Sequence, residues 1–199
     1  MLHTCYIDKI KKYKLNPNWL RVGILPFYKF NNTIYILLGI YKVSNSQYEI
    51  CALSGGYKRT LETILSGAYR EFNEETENLF QEYETDIKSD IIHSPIMYSY
   101  GKNGIDRILF VLNISKYIKL ICNKYNIQNI SIQHLQSLFE THFKSKNNTE
   151  LHCIQFIDIH KFVHNYCDLT IYKDLIIFMK KNNIYQNSNL EKFITYHKL

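Results

Sequence analysis

The chain is poor in the residues that break or staple a fold. Its 199 residues hold 7 glycines and 3 prolines, too few for a collagen-like or linker-dominated chain. No stretch approaches the ~18–20 uncharged apolar residues of a membrane span. Met1–Lys14 has no apolar signal core and instead carries Lys9, Lys11, Lys12 and Lys14, so no secretory signal is expected there. The five cysteines, Cys5, Cys51, Cys122, Cys153 and Cys167, are scattered, odd in number and without a CxxC pair. That spacing argues against a zinc site or a disulfide partner, and for a reducing, cytoplasmic compartment (the host cytoplasm for a viral chain). The histidines form no HExxH. His160 and His164 stand four apart without a third ligand and read as structural.

What is present fits one large soluble domain. Hydrophobic residues at 46% and charged residues at 21% are ordinary for a globular protein, and the length is enough to bury a core. A single domain over 1–199 is expected, with a basic extension at 1–19 and a polar tail at 182–199. A net charge of +6 is compatible with nucleic acid without establishing it. Lys, Asn, Ile and Tyr are heavily used, with 17 Tyr. These residues have AT-rich codons, so the bias reads as genomic.

Hydrophobic patterning predicts a strand over Arg21–Phe30, with Pro26 marking an edge or bulge. Asn31-Asn32 then turns into a second strand, Thr33–Val43. After a loop, Tyr48–Leu53 is a third strand ending in Ser54-Gly55-Gly56. A helix starts between Thr60 and Thr63 and runs to about Glu77. A polar stretch precedes two β-like runs, Ile91–Tyr100 and Ile105–Ile114, around the turn Gly101-Lys102-Asn103-Gly104. Lys116–Tyr125, Ile132–Phe143 and Tyr172–Lys181 have helical spacing, and Leu151–Ile159 alternates like a strand. The expected class is α+β, a mixed sheet between helices.

One segment carries chemistry. Gly56 is followed after five residues by Glu62, then after seven by Arg70-Glu71-Phe72-Asn73-Glu74-Glu75. A Gly-Gly strand end lets backbone approach a ligand closely. On the helix that follows, Ile64, Leu65, Ala68 and Phe72 form the inward stripe. At ~100° per residue Glu75 projects between Ile64 and Ala68, with Glu71 beside it one turn back. Carboxylates at a buried edge are costly unless paired. Glu74 adds a third, which Arg70 can hold from one turn away. A hard divalent cation such as Mg²⁺ resolves the repulsion, and the Gly55 carbonyl can add an oxygen ligand. Six fixed residues at this spacing coincide by chance on the order of once in 10⁷ start positions.

The segment resembles the Nudix box, G-x5-E-x7-R-E-U-x-E-E-x-G-U, with U a bulky apolar residue. Gly56, Glu62, Arg70, Glu71, Phe72, Glu74 and Glu75 match; Glu77 stands for the usual Gly and Asn78 for the usual apolar residue. The resemblance implies a Nudix-type α/β/α sandwich, with extra helices before the last strand and at the C-terminus. It implies a hydrolase that cleaves a nucleoside diphosphate from another moiety. Glu71, Glu74, Glu75 and the Gly55 carbonyl would hold Mg²⁺ or Mn²⁺. Arg70 would orient a glutamate, and Gly56 and Glu62 would support the loop–helix junction. The general base is Glu71, or Glu150 on a distal loop; Glu140 is a weaker distal candidate.

The substrate leaves three readings open. The first is mRNA decapping, releasing methylated GDP, because composition, charge and inserted helices resemble the Nudix decapping proteins of large DNA viruses. Tyr41, Tyr57, Tyr98 and Tyr100 would then be candidates to stack on a base. Lys116, Lys119 and Lys124 on one helix, and Lys173, Lys180 and Lys181 on another, would be candidates for RNA backbone contacts. The second is hydrolysis of free nucleotides: a damaged nucleoside triphosphate, a dinucleoside polyphosphate or a nucleotide sugar. The third is a non-catalytic nucleotide- or RNA-binding module, which the intact carboxylates disfavour.

Overall fold

In the computed structural model, residues 15–16, 19–44, 47–58, 60–94, 96–144, 151 and 153–159 are described. They form seven strands and four helices. The strands are β1 (Arg21–Phe30), β2 (Thr33–Ser44), β3 (Gln47–Cys51), β4 (Leu53–Gly56), β5 (Ile96–Gly101), β6 (Gly104–Asn113) and β7 (Cys153–Asp158). The helices are α1 (Ile64–Glu75), α2 (Glu84–Ile92), α3 (Ser115–Lys124) and α4 (Ile132–Lys144). The strands make one open sheet, β3-β2-β1-β6-β5, with β4 on β1 and β7 on β2. The β1–β6 pair is parallel and the others are antiparallel, so the sheet is mixed.

β1 is the centre of this sheet, not an edge. Its residues 21–27 pair with β6 along one side. Along the other side Arg21–Ile24 pair with β4 and Phe27–Phe30 pair with β2. Leu25 and Pro26 fall in the gap between those two antiparallel ladders. Pro26 therefore sits where that side has no ladder partner, which is how a residue without an N–H is tolerated in a central strand. Because both faces are covered, Val22 through Tyr28 are continuously buried, without the alternation of a half-exposed strand.

α1 begins where Thr63 accepts a hydrogen bond at Oγ1 from the Ser66 amide, 3.1 Å. Its inward residues are Gly67, Ala68, Tyr69, Phe72 and Glu75. Gly67 lets the helix lie close: a Cβ there would come 2.9 Å from Glu62 Oε1 and 3.1 Å from Val22 Cγ2. Aromatic contacts then run from Phe72 to Phe80 (4.9 Å), Phe139 of α4 (6.2 Å), Phe156 of β7 (5.2 Å) and Tyr28 of β1 (6.0 Å). This chain places α1 and α4 on the same side of the sheet.

α2 departs from the sequence expectation of a polar stretch followed by a strand from Ile91. Ile87 and Ile91, four apart, are its buried positions, too sparse a stripe to outweigh the apolar run that Ile91-Ile92 begin. β5 starts only at Ile96. Tyr117 of α3 reaches α2, donating to Asp90 Oδ2 at 2.8 Å. Within the stretch expected as an extension, Leu15 bridges to Ile105 and the Asn16 amide donates to the Ile105 carbonyl. The expected helix at Tyr172–Lys181 and the tail at 182–199 lie outside the described residues. Cys51, Cys122 and Cys153 are free thiols. Among the described residues no helix is long and apolar enough to cross a membrane.

The end of α1 shows what Glu77 and Asn78 do. Glu77 and Asn78 both adopt positive φ, 53° and 61°. Asparagine tolerates this region; glutamate pays roughly 1–2 kcal/mol for it. The turn is held by the Asn78 amide on the Asn73 carbonyl, by Asn73 Nδ2 on Asn78 Oδ1, and by a bond between His142 Nε2 and the Glu77 carbonyl. Glu77→Gly is therefore expected to stabilise the protein by about 1 kcal/mol. Thermal unfolding should show a midpoint raised by roughly 2–4 °C.

Candidate active site

The site is built where β4 ends and α1 begins. Gly55 lies opposite Val22 and Gly56 opposite Arg21. The chain then loops back: the Tyr57 amide donates to the Leu20 carbonyl at 2.9 Å. The Tyr57 hydroxyl donates to the Glu62 carbonyl at 3.0 Å. Glu62 Oε1 accepts from the Lys58 amide at 2.8 Å. This loop delivers the Glu62 carboxylate to the first turns of α1.

Arg70 gathers the cluster. Its Nε donates to Glu62 Oε2 at 2.9 Å, and its Nη2 to Glu62 Oε1 and to the Gly56 carbonyl, both at 2.9 Å. Its Nη1 donates to Glu71 Oε1 at 2.6 Å and to Glu74 Oε2 at 3.0 Å. One guanidinium thus ties three glutamates to the end of β4, using the planar fork that only arginine offers. The hydrogen bonds that Arg70 donates to Glu62 drive its pKa above its already high ordinary value, so this cation is permanent.

The carboxylates differ in environment. The Glu74 side chain is 56% exposed and that of Glu71 13%, while Glu75 is 4% exposed as a residue. Burial raises the Glu71 carboxyl pKa, Arg70 opposes the rise, and the Glu74 charge adds to it. Glu71 is pressed against β4: a Cβ on Gly55 would fall 1.8 Å from its Oε2. Glu75 acts on the Cys51 thiol, whose pKa is raised by burial first and by Glu75 second. Glu62 behaves oppositely to Glu71. Its hydrogen bond from Arg70 lowers its pKa below the ordinary 4.5.

That shift has a signed consequence. A carboxyl with a lowered folded-state pKa contributes stability that is complete above its unfolded value. The contribution disappears as pH falls through the lower folded value. Denaturation of wild type and Glu62→Gln across the acid range should show a stability gap at neutral pH that closes below pH 4.5. A pH-independent gap would contradict the linkage.

The structure brings Gly55, Gly56, Glu62, Arg70, Glu71 and Glu74 to one place, with Glu75 buried one turn beyond Glu71 on α1. Among the described residues no three His, Cys, Asp or Glu side chains already converge as a ligand set; Glu71 and Glu74 are turned onto Arg70. The donors are nonetheless all oxygen, crowded, and in Glu71 partly desolvated. That chemistry fits a hard divalent cation such as Mg²⁺ or Mn²⁺ and not a soft one.

Other expected residues fall further off. Tyr98 is 42% exposed on the transverse row Gly55–Val22–Ile108–Tyr98, three strand spacings or about 14 Å from Gly55. Tyr41 pairs with Glu49 along β2 and Tyr100 with Ile105 along β5. Helix α3 starts beside Phe27 and Lys29, six residues or about 20 Å along β1 from Arg21. Of its lysines, Lys116 pairs with Asp90 at 2.8 Å and Lys124 with Glu82 at 2.5 Å, while Lys119 is exposed. Glu140 accepts from Gln136 on the same helix. Glu150, His160, His164, Lys173, Lys180 and Lys181 lie outside the described residues.

Sequence reasoning passed over Gly67, which lies against Glu62, Arg21, which lies opposite Gly56, and Arg107, one strand beyond Arg21. Arg21 stands level with Arg107 across β1 and β6 and donates from Nη2 to the Ser54 carbonyl at 2.6 Å. No protein-family model matches the chain, and no curated protein matches it in sequence.

Proposed function

We propose that the chain is a divalent-metal-dependent hydrolase of the Nudix type, with a sheet sandwiched between helices, cleaving the pyrophosphate linkage of a nucleoside diphosphate derivative. The observation that carries this reading is the Arg70 clamp, which holds Glu62, Glu71 and Glu74 on the end of β4. An arginine with five such bonds is a positioning device, and what it positions is an oxygen-rich acidic cluster beside a glycine strand end.

Glu71, Glu74, Glu75 and the Gly55 carbonyl are the groups that would hold Mg²⁺ or Mn²⁺. When bound there, the metal supplies polarised phosphoryl oxygens, a more acidic water and charge for the departing phosphate. The chain's own part is to place and deprotonate that water. Glu71, partly desolvated and with its pKa raised by burial, is suited to take the proton as water attacks phosphorus and the P–O bond to the leaving phosphate breaks. Arg70 keeps Glu71 and Glu74 oriented throughout, and Glu150 is the alternative base.

The favoured substrate is the 5′ cap of mRNA. The test uses RNA with a labelled methylguanosine cap and Mg²⁺ or Mn²⁺. Release of methylated GDP is expected. A second reading, hydrolysis of free nucleotides, is favoured by the lysines of α3. Two of them are engaged with Asp90 and Glu82, and the helix starts at the far end of β1, which leaves less of an RNA track. Absence of cap release with turnover of a dinucleoside polyphosphate or nucleotide sugar would select that reading.

A further inference from the structure

Arginine is scarce in this chain, and two of its described arginines meet on adjacent strands. Against twenty lysines there are four arginines: Arg21, Arg59, Arg70 and Arg107. Arg70 is the clamp. Arg21 and Arg107 are direct partners in the β1–β6 ladder, and Arg21 also faces Gly56 of β4. Laterally paired positions on adjacent strands project to the same face, about 5 Å apart. Like charges so placed repel.

Neither arginine finds a carboxylate to cancel that repulsion among the ion pairs of the described residues. The Nε atoms of both are buried and lack a hydrogen-bond acceptor, a costly state for a charged donor. Arg21 lies across the β1–β4 ladder from Gly56, whose carbonyl accepts from Arg70, and Arg107 lies one strand further on β6. The charge of Arg21 works against the raised Glu71 pKa, and both arginines work against the rise that burial and Glu75 cause at the Cys51 thiol. In a chain that otherwise uses lysine for positive charge, two arginines with unspent donors mark a place where the planar fork is needed. A phosphate accepts that fork in bidentate fashion; an ammonium cannot offer it.

We propose that Arg21 and Arg107 form a phosphate-oxyanion subsite for the part of the substrate that lies beyond the carboxylate cluster. The assignment rests on the hydrolase reading and deepens it. The substrate then carries a phosphate group that engages this pair, and the anion removes the mutual repulsion of the two guanidiniums while accepting their buried N–H groups. A derivative with a neutral group in that place loses affinity.

The chain supplies its own probe. Trp19 is its one tryptophan, stands two residues before Arg21 and is 62% exposed. The full chain is titrated with inorganic pyrophosphate in EDTA, followed by Trp19 fluorescence and by calorimetry. Saturable binding that weakens with added salt is expected. Arg107→Ala should weaken it about 10- to 100-fold, and Lys88→Ala, which removes a cation on α2 paired with Glu84, should leave it unchanged. Arg107→Lys keeps the charge and loses the fork; it carries the test if the alanine variant does not fold, with an expected loss of about tenfold. No pyrophosphate binding by the wild type in either readout would overturn the assignment, as would wild-type affinity in both Arg107 variants. The two levels separate cleanly. Pyrophosphate binding that depends on Arg107, without metal-dependent turnover of any nucleoside diphosphate derivative, sinks the hydrolase reading and leaves the subsite. Turnover that depends on Glu75 but is indifferent to Arg107, in KM and in pyrophosphate affinity, does the reverse.

Discussion

Gly55→Ala is expected to fold and to lose about 100-fold in turnover. The added Cβ would sit 1.8 Å from Glu71 Oε2 and 2.2 Å from its Cδ, so the two cannot coexist. Gly55 is not in the left-handed region, so alanine meets no backbone strain. What must give is the far end of a flexible side chain, which costs little stability. The carboxylate moves off β4 and off its 2.6 Å bond with Arg70. A displacement of about 1 Å in a reacting group costs on the order of 10² in rate. Gly56→Ala is the informative neighbour: its Cβ meets nothing within 4 Å, and a much smaller loss is expected. Steady-state kinetics with a matched thermal midpoint for each variant checks both. Equal losses at 55 and 56 would contradict the steric account of Glu71.

Arg70→Lys is expected to damage stability and activity together. An ammonium cannot reach Glu62, Glu71, Glu74 and the Gly56 carbonyl at once, as the guanidinium does. Glu62 and Glu71 are then left partly buried without their partner, at a cost on the order of 3 kcal/mol. For a chain of this size that is a midpoint lowered by roughly 6–12 °C. Turnover should fall as well, because Glu71 and Glu74 lose the group that orients them. A stable, slow Arg70→Lys enzyme would make the clamp an orienting group only. A stable, fully active one would remove it from the site.

Much of this was legible in the residues. The strand–Gly-Gly–helix order and the inward projection of Glu75 follow from local bends and from 100° per residue, and both are seen in β4, α1 and the burial of Glu75. The pairing of Arg70 with Glu74 is a one-turn contact of the same kind. What was not legible depends on which strands become neighbours. Pro26 reads as an edge signal until β4 and β2 are seen to share one side of β1 and leave a gap there. Arg21 and Arg107 are far apart in sequence and become a pair only through the parallel β1–β6 register. The bonds of Arg70 to Glu62 and Gly56 likewise cross a loop whose path no periodicity gives. α2 was missed because two buried isoleucines make too thin a stripe to compete with an apolar run.

Glu75 is the residue on which the reaction and the fold are most easily separated, since it is 4% exposed on the inward side of α1 and glutamine preserves its shape. The decisive measurement is turnover of capped RNA and of free nucleoside diphosphate derivatives, in Mg²⁺ or Mn²⁺ and in EDTA, by wild type and Glu75→Gln side by side. Turnover of at least one substrate by the wild type with metal is expected, with none in EDTA and most of it lost in a folded Glu75→Gln. A Glu75→Gln protein as active as wild type, or activity that persists in EDTA, would contradict the assignment of this cluster as a metal-dependent hydrolytic centre.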